Sequence, residues 1–174
     1  IKELSHADFI NTEMIKFSIS DCARSIPNLI DGFKECHRKV LFGCFKRNLK
    51  YTGKTIKVEQ LAGFIGNVSA YHHGEVSLHK TITHMASQYV GCNNIPLLYR
   101  DGQFGSRSEG GKDSANARYI STKLDKLTRL IYRIEDEPLL SYKEDDGQRI
   151  EPEFYVPIIP MICVNGCITG NGTG

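Results

Sequence analysis

Three runs of apolar residues at helical spacing, followed at once by a glycine-rich basic stretch, restrict this chain to few architectures. Phe33, Cys36, Val40, Leu41 and Cys44 predict a helix from about Phe33 to Asn48. Val58, Leu61, Ala62, Ile65 and Val68 predict another over 57–68, and Leu78, Ile82, Met85 and Tyr89 a third, running from about Glu75 to Tyr89. The opposite side of the third run carries His73, Ser77, Lys80, Thr81, His84 and Gln88. These are imidazoles, hydroxyls, an amide and one ammonium with no carboxylate, a set suited to phosphates and base edges. Beyond residue 91 glycine and polar residues prevail, and Asp101-Gly102 predicts a hairpin turn. Arg100, Arg107, Lys112 and Arg118 make this hairpin cationic. A helix, a turn, a polar-faced helix and a basic hairpin follow in the order of a helix-turn-helix unit with a wing, although ordinary cores also hold such helix pairs.

The flanks are less constrained. Ser5 and Asp8 resemble a capping box at the start of a lead-in helix with Ile10, Met14 and Phe17 on one face. A helix is predicted after Tyr119, with Ile120, Leu124, Leu127 and Ile131 in step. Beyond Pro138, the acidic loop Glu144–Gly147 and the apolar run Tyr155–Val164 read as strands of a second module. The chain begins at Ile1 rather than methionine and reads as a piece of something longer. No apolar run approaches the roughly 20 residues of a membrane span, so no membrane partner is expected.

Net charge is +2, but it is unevenly distributed: residues 31–118 hold 13 Lys and Arg against 7 Asp and Glu. A basic centre between neutral and acidic flanks points to a localised polyanion site. The six cysteines include no CxxC pair, which argues for reduced thiols in an intracellular compartment rather than a disulfide framework or zinc knuckle.

Arg118 and Tyr119 stand at the end of the basic loop. A phenol is a poor nucleophile near neutral pH, its ordinary pKa being about 10. A fixed cation beside it favours the ionised form and can hold a phosphate where that oxygen would attack. The alternative is a wing tyrosine whose ring merely packs. Other catalytic patterns fail. His72-His73-x-Glu75 lacks the helical His-x3-His spacing of a metal site, Gly53-Lys54-Thr55 lacks the first glycine of a phosphate loop, and there is no GxSxG. No metal ligand is expected in this chain.

Several motifs recur together: Arg24-Ser-Ile-Pro-Asn-Leu-Ile-Asp-Gly-Phe-Lys34, Arg38-Lys-Val-Leu, Tyr71-His-His-Gly-Glu75, Gly102-Gln-Phe-Gly105, Gly110-Gly-Lys-Asp113, Ala117-Arg-Tyr-Ile120 and Glu151-Pro-Glu with Pro157-Ile-Ile-Pro160-Met. The pattern resembles the breakage–reunion core of the eukaryotic-type DNA topoisomerase II family over essentially the whole chain. The resemblance implies an α+β fold, a winged-helix DNA-cleavage domain leading into the first strands of a tower domain. Its parts would be a lead-in over 1–30, the cleavage domain over 31–134 and the truncated tower over 135–174. It also implies that Tyr119 attacks a DNA phosphodiester and becomes linked to the 5′ end, with Arg118, His73 and Arg24 at the same active site. Lys34, Arg38, His72, Ser77, Lys80, Lys112 and Ile168 would face DNA.

Mg²⁺ and ATP are implied for the full enzyme, both held by Toprim and ATPase domains outside this chain, so this segment alone should not cleave. The implied partners are double-stranded DNA, a second copy in a homodimer and those domains of the same polypeptide. The implied location is the nucleus, or the host cell for a viral protein. Two departures from the family pattern bear on local structure. After Lys34 the family usually has Pro-Gly-Gln, where this chain has Glu35-Cys-His37. Near the end, Asn165-Gly-Cys-Ile-Thr-Gly-Asn-Gly-Thr-Gly174 is one residue longer than the family's Asn-Gly-Ala-Glu-Gly-Ile-Gly-Thr-Gly, so that Ile168 or Asn171 would fill the position of the DNA-wedging isoleucine.

Overall fold

The computed structural model describes residues 3–167 and 169–173. Helix α1 (His6–Phe9) passes through a π-helical turn (Ile10–Met14) into α2 (Ile15–Ser25). The predicted cap forms: Ser5 Oγ accepts from the Asp8 backbone N–H at 3.1 Å and donates to Asp8 Oδ2 at 2.7 Å. Ile10, Met14 and Phe17 are nonetheless exposed, because nothing among the described residues packs on that face.

The core is built by α3 (Glu35–Lys46), α4 (Val58–Val68) and α5 (Glu75–Ala86). Val40, Leu41 and Cys44 of α3 bury with Leu61, Ala62 and Ile65 of α4 and Leu78, Ile82 and Met85 of α5, as the periodicity predicts. The unusual start of α3 has a local explanation. His37, where the family usually has glutamine, accepts the Lys34 backbone N–H through Nδ1 at 3.3 Å and so satisfies a donor that the helix leaves free.

A small antiparallel ribbon closes one side of the helices. Strand β1 (Ile56–Lys57) pairs with β2 (Ser121–Thr122), with Lys57 opposite Ser121. Bridges Asp101↔Ser121 and Leu98↔Leu124 add the 98–101 segment on the other side of 121–124. Two expectations are corrected here. Asp101-Gly102 is not the hairpin turn, since Asp101 itself is paired and the connection runs on through 105–116. Nor does a helix begin after Tyr119. Ile120 and Leu124 are four apart, a spacing that suits one face of a strand as well as of a helix, and two waiting partner segments settle it as strand. Helix α6 (Thr128–Ile131) follows only after this pairing.

A second hairpin joins β3 (Tyr142–Asp145) to β4 (Gln148–Pro152). Its turn is Asp146-Gly147, with φ of 47° and 74°, the doubly left-handed geometry that Asp-Gly favours. The acidic loop is thus the turn and one flank of this hairpin. Tyr155–Val164, expected as a strand, is instead irregular and ends in α7 (Met161–Asn165), because Pro157 and Pro160 remove the donors a ladder needs. This region packs on α3 rather than apart from it. The Lys39 ammonium reaches Glu151 Oε2 at 2.8 Å with both side chains buried, and the Tyr155 N–H donates to Asp31 Oδ2 at 3.0 Å. No helix among the described residues is long and apolar enough to cross a membrane.

Candidate nucleic-acid interface

Two clefts and one exposed edge gather most of the predicted residues. The first cleft, of about 280 Å³, lies where the end of α2 meets the starts of α3 and α5, and is lined by Arg24, Lys34, Tyr71, His73, Ser77 and Asn171 among others. Arg24 Nη1 stands 3.4 Å from His73 Nε2. A guanidinium can only donate, so in a hydrogen bond here Nε2 is the acceptor. The other side of the guanidinium is held by Asp21, Nη2 to Oδ1 at 2.7 Å. Tyr71 meets the His73 ring edge-on at 5.3 Å between centroids.

The second cleft, of about 580 Å³, lies between α5 and the 110–117 loop, with Lys80 on one wall and Lys112 on the other. Asp113 fixes that loop by accepting from the Ser106 N–H at 2.8 Å and from Gln103 at 3.0 Å. The Ser106 bond, above all, holds its carboxyl below the ordinary aspartate range.

Arg118 and Tyr119 follow directly in the chain after Asn116 and Ala117, which line this second cleft. Asn116 shapes their turn: its Oδ1 accepts from the Arg118 N–H at 3.2 Å and from Arg118 Nε at 3.3 Å, and its carbonyl accepts from the Tyr119 N–H at 2.9 Å. Lys57 donates to the Tyr119 carbonyl at 3.1 Å. The Arg118 guanidinium carbon lies 5.8 Å from the Tyr119 ring centroid, and Tyr119 is 69 % exposed. A packed wing tyrosine would be covered; this one is exposed.

The remaining candidates separate. Arg38 is corrected from the DNA-facing set: it is 3 % exposed and its guanidinium is held by Asp31 at 3.2 Å and by the Phe33 carbonyl at 3.0 Å. Burial drives Asp31 upward and the Arg38 charge pulls it back, a pair that ties the start of α3 to the Tyr155 backbone. His72 is exposed but faces Asp145 of the second hairpin at 3.1 Å. Ile168 lies outside the described residues. Among the described residues, no hydrogen bond or ion pair joins Arg24 and His73 to Arg118 and Tyr119. Sequence reasoning misses Asp21, Asn116 and Thr173. The Asp-x-x-Arg and Asn-x-Arg spacings are their only local signals.

The comparisons with known proteins bear on this arrangement. Residues 24–174 match the family model that describes the A subunit of DNA gyrase/topoisomerase IV. The chain belongs to that family. Within it, the sequence is similar to DNA topoisomerase 2 of Drosophila melanogaster, 57 % identical over 173 residues, which is 99 % of this chain and 12 % of that one. It is 55 % identical over 174 residues to DNA topoisomerase 2 of Saccharomyces cerevisiae, covering 100 % of this chain and again 12 % of the relative. The structure is similar to the topoisomerase II DNA-binding, cleavage and re-ligation domain of Plasmodium falciparum, with a TM-score of 0.88 and 54 % identity over 98 % of this chain and 23 % of that one. The chain therefore spans about an eighth of the length of these curated relatives.

Proposed function

We propose that this chain is the DNA-cleavage segment of a type II DNA topoisomerase, in which Tyr119 makes a transient 5′-phosphotyrosyl link to one strand of a duplex. The observation that carries the reading is the exposed Tyr119 beside Arg118, both held in a turn by Asn116, a residue that lines the cleft containing Lys80 and Lys112. In this reaction the phenolic oxygen bonds to phosphorus and loses its proton, while the bond to the 3′ oxygen breaks and that oxygen gains a proton. The phosphotyrosine ester keeps the energy of the broken bond, so the 3′ hydroxyl reseals the strand without a high-energy cofactor. Arg118 holds a nonbridging oxygen and offsets the charge that develops there. Arg24 and His73 form a second donor group, and Lys34, Ser77, Lys80 and Lys112 contact the backbone.

The helix order α3–α4–α5 followed by the ribbon supports a winged-helix module, with residues 135–174 leading towards a tower. In this reading the parent enzyme is an ATP-dependent homodimer that relaxes and decatenates DNA, in the nucleus of a eukaryotic cell or within the host of a virus. Among the described residues no group of three or more His, Cys, Asp and Glu side chains converges to hold a metal ion. In this reading Mg²⁺ and ATP are held by the Toprim and ATPase domains of the same polypeptide. The rival reading is a binding module that needs the basic surface but not the phenol.

The experiment incubates the full-length parent protein with Mg²⁺ and supercoiled DNA, stops it with detergent and digests the DNA. Mass spectrometry then finds a nucleotide adduct on the Tyr119 peptide, absent from Tyr119→Phe. DNA binding with no adduct anywhere would favour the binding module, and an adduct on another tyrosine would keep the reaction and discard the site.

A further inference from the structure

The loop 169–173 returns from the far end of the chain to the C-terminal turn of α2, and its seating is unusually close. A Cβ added at Gly170 would lie 2.9 Å from Pro27 Cδ, and one at Gly172 would lie 2.8 Å from Cys22 Sγ. Glycine on both sides of Asn171 lets the loop press against the helix end and set Asn171 on the wall of the Arg24–His73 cleft. One carboxylate fastens it. Asp21 Oδ2 accepts from the Thr173 N–H at 3.0 Å and from its hydroxyl at 2.7 Å, while Oδ1 accepts from Arg24 at 2.7 Å and from Ser25 at 3.2 Å.

We propose that Asp21 is a positioning residue that couples the seating of the 169–173 loop to the orientation of Arg24, and through it of His73. This rests on the DNA-cleavage reading above. The carboxylate is committed on both oxygens, so moving the loop moves the anchor of the guanidinium. The Thr173 hydrogen bond, more than any other single interaction, holds the Asp21 carboxyl at about 2, as expected of an acceptor bound tightly in its ionised form. A negative side chain in a site meant for phosphates weakens DNA attraction. Its presence is explained if it is needed to aim Arg24 rather than to bind. DNA that displaces Asn171 would therefore reset the Arg24–His73 pair, linking the docking of a duplex to readiness for cleavage.

The test uses the full-length enzyme carrying Asp21→Asn, Thr173→Val or Thr173→Ser. Duplex affinity is measured without Mg²⁺, and Tyr119-linked DNA is measured with Mg²⁺ at saturating duplex. Asp21→Asn should lower the covalent fraction about ten- to a hundredfold, the scale of a misplaced catalytic group, with affinity unchanged or tighter. Thr173→Val should act in the same direction, and Thr173→Ser should restore the wild-type fraction. A covalent fraction unchanged in Asp21→Asn would overturn the proposal. So would a loss recovered by added DNA, or a Thr173→Val enzyme equal to wild type. If Asp21→Asn does not fold, the Thr173 pair alone decides, since it changes one hydroxyl on a surface loop. Absence of the Tyr119 adduct in the wild-type enzyme would instead reject the cleavage reading, a distinct result.

Discussion

Arg24 Nη1 and His73 Nε2 stand 3.4 Å apart although 49 residues separate them in the chain. The contact joins the end of α2 to the start of α5, and because a guanidinium only donates, His73 is its acceptor. Lysine at position 24 has one ammonium and cannot span Asp21 on one side and His73 on the other. Arg24→Lys in the parent enzyme should therefore lower covalent complex per bound duplex by about a hundredfold, the scale seen when one stabilising donor is removed. His73→Gln, which keeps an acceptor, should lose less than His73→Ala. Quantifying tyrosine-linked DNA at saturating duplex checks both, and equal losses in the two His73 variants would remove the acceptor role.

Tyr119 and Arg118 allow a cleaner separation of binding from chemistry. Tyr119 is 69 % exposed, so removing its hydroxyl should change stability by less than about 0.5 kcal/mol. Tyr119→Phe should abolish the adduct while leaving duplex affinity nearly unchanged. Arg118→Lys should also be severely impaired, because lysine offers neither the planar fork nor the Nε contact to Asn116. Relaxation of supercoiled DNA by the lysine variant at a near-normal rate would sink the phosphate-clamp role.

The buried pair Lys39–Glu151 predicts a stability effect away from the DNA surface. Lys39 also donates to the Ser69 carbonyl at 2.5 Å, so the ammonium bridges α4's end and β4. Burial pushes Glu151 up and Lys39 pulls it back. Glu151→Ala leaves an ammonium buried without its partner, which costs about 3–5 kcal/mol. Replacing both, Lys39→Met with Glu151→Leu, should recover most of that loss. Hydrogen-exchange protection of α3 and β4 amides in the intact protein reads the difference, and a double variant no better than the single one would show that packing rather than charge sets the cost.

Much of this architecture is legible in the sequence, and the failures have identifiable physics. Helices α3, α4 and α5 fall within about three residues of their predicted ends because their periodicity and their burial coincide. Ile120–Leu124 departs from its predicted helix because its spacing is even as well as helical, and only the neighbouring segments decide between the two. In Tyr155–Val164 the evidence against a strand is local, since two prolines interrupt the run. Site residues divide in the same way. Arg118 and Tyr119 are adjacent in sequence, so their relationship needs no tertiary information. Nothing local distinguishes Arg38, which is buried against Asp31, from Lys34 one helical turn away on the cleft wall. The Asp21–Thr173 latch spans 152 residues and appears only once the chain has folded.

His37 carries a pH prediction whose direction follows from its burial. Desolvation, with the neighbouring charges of His84, Lys34 and Arg38, lowers its pKa from 6.5 to about 3. Between those values the unfolded chain holds a proton on this ring that the folded chain must release. The contribution of His37 to stability is therefore complete above about pH 6.5 and declines as pH falls towards 3. The slope is about 1.4 kcal/mol per pH unit while the difference of one proton persists. His84 is lowered by burial as well and adds to the same trend. Glutamine, the usual family residue at this position, can accept the Lys34 N–H through its carboxamide oxygen and does not titrate. His37→Gln should therefore keep α3 starting at Glu35 while flattening the acid side of the stability profile. Hydrogen exchange of α3 amides in the intact protein, compared between wild type and variant at each pH from about 6.5 to about 4, isolates the effect because intrinsic exchange cancels in the difference. The gap should widen in favour of glutamine at each lower pH, and a constant gap would mean that the imidazole is already protonated in the fold.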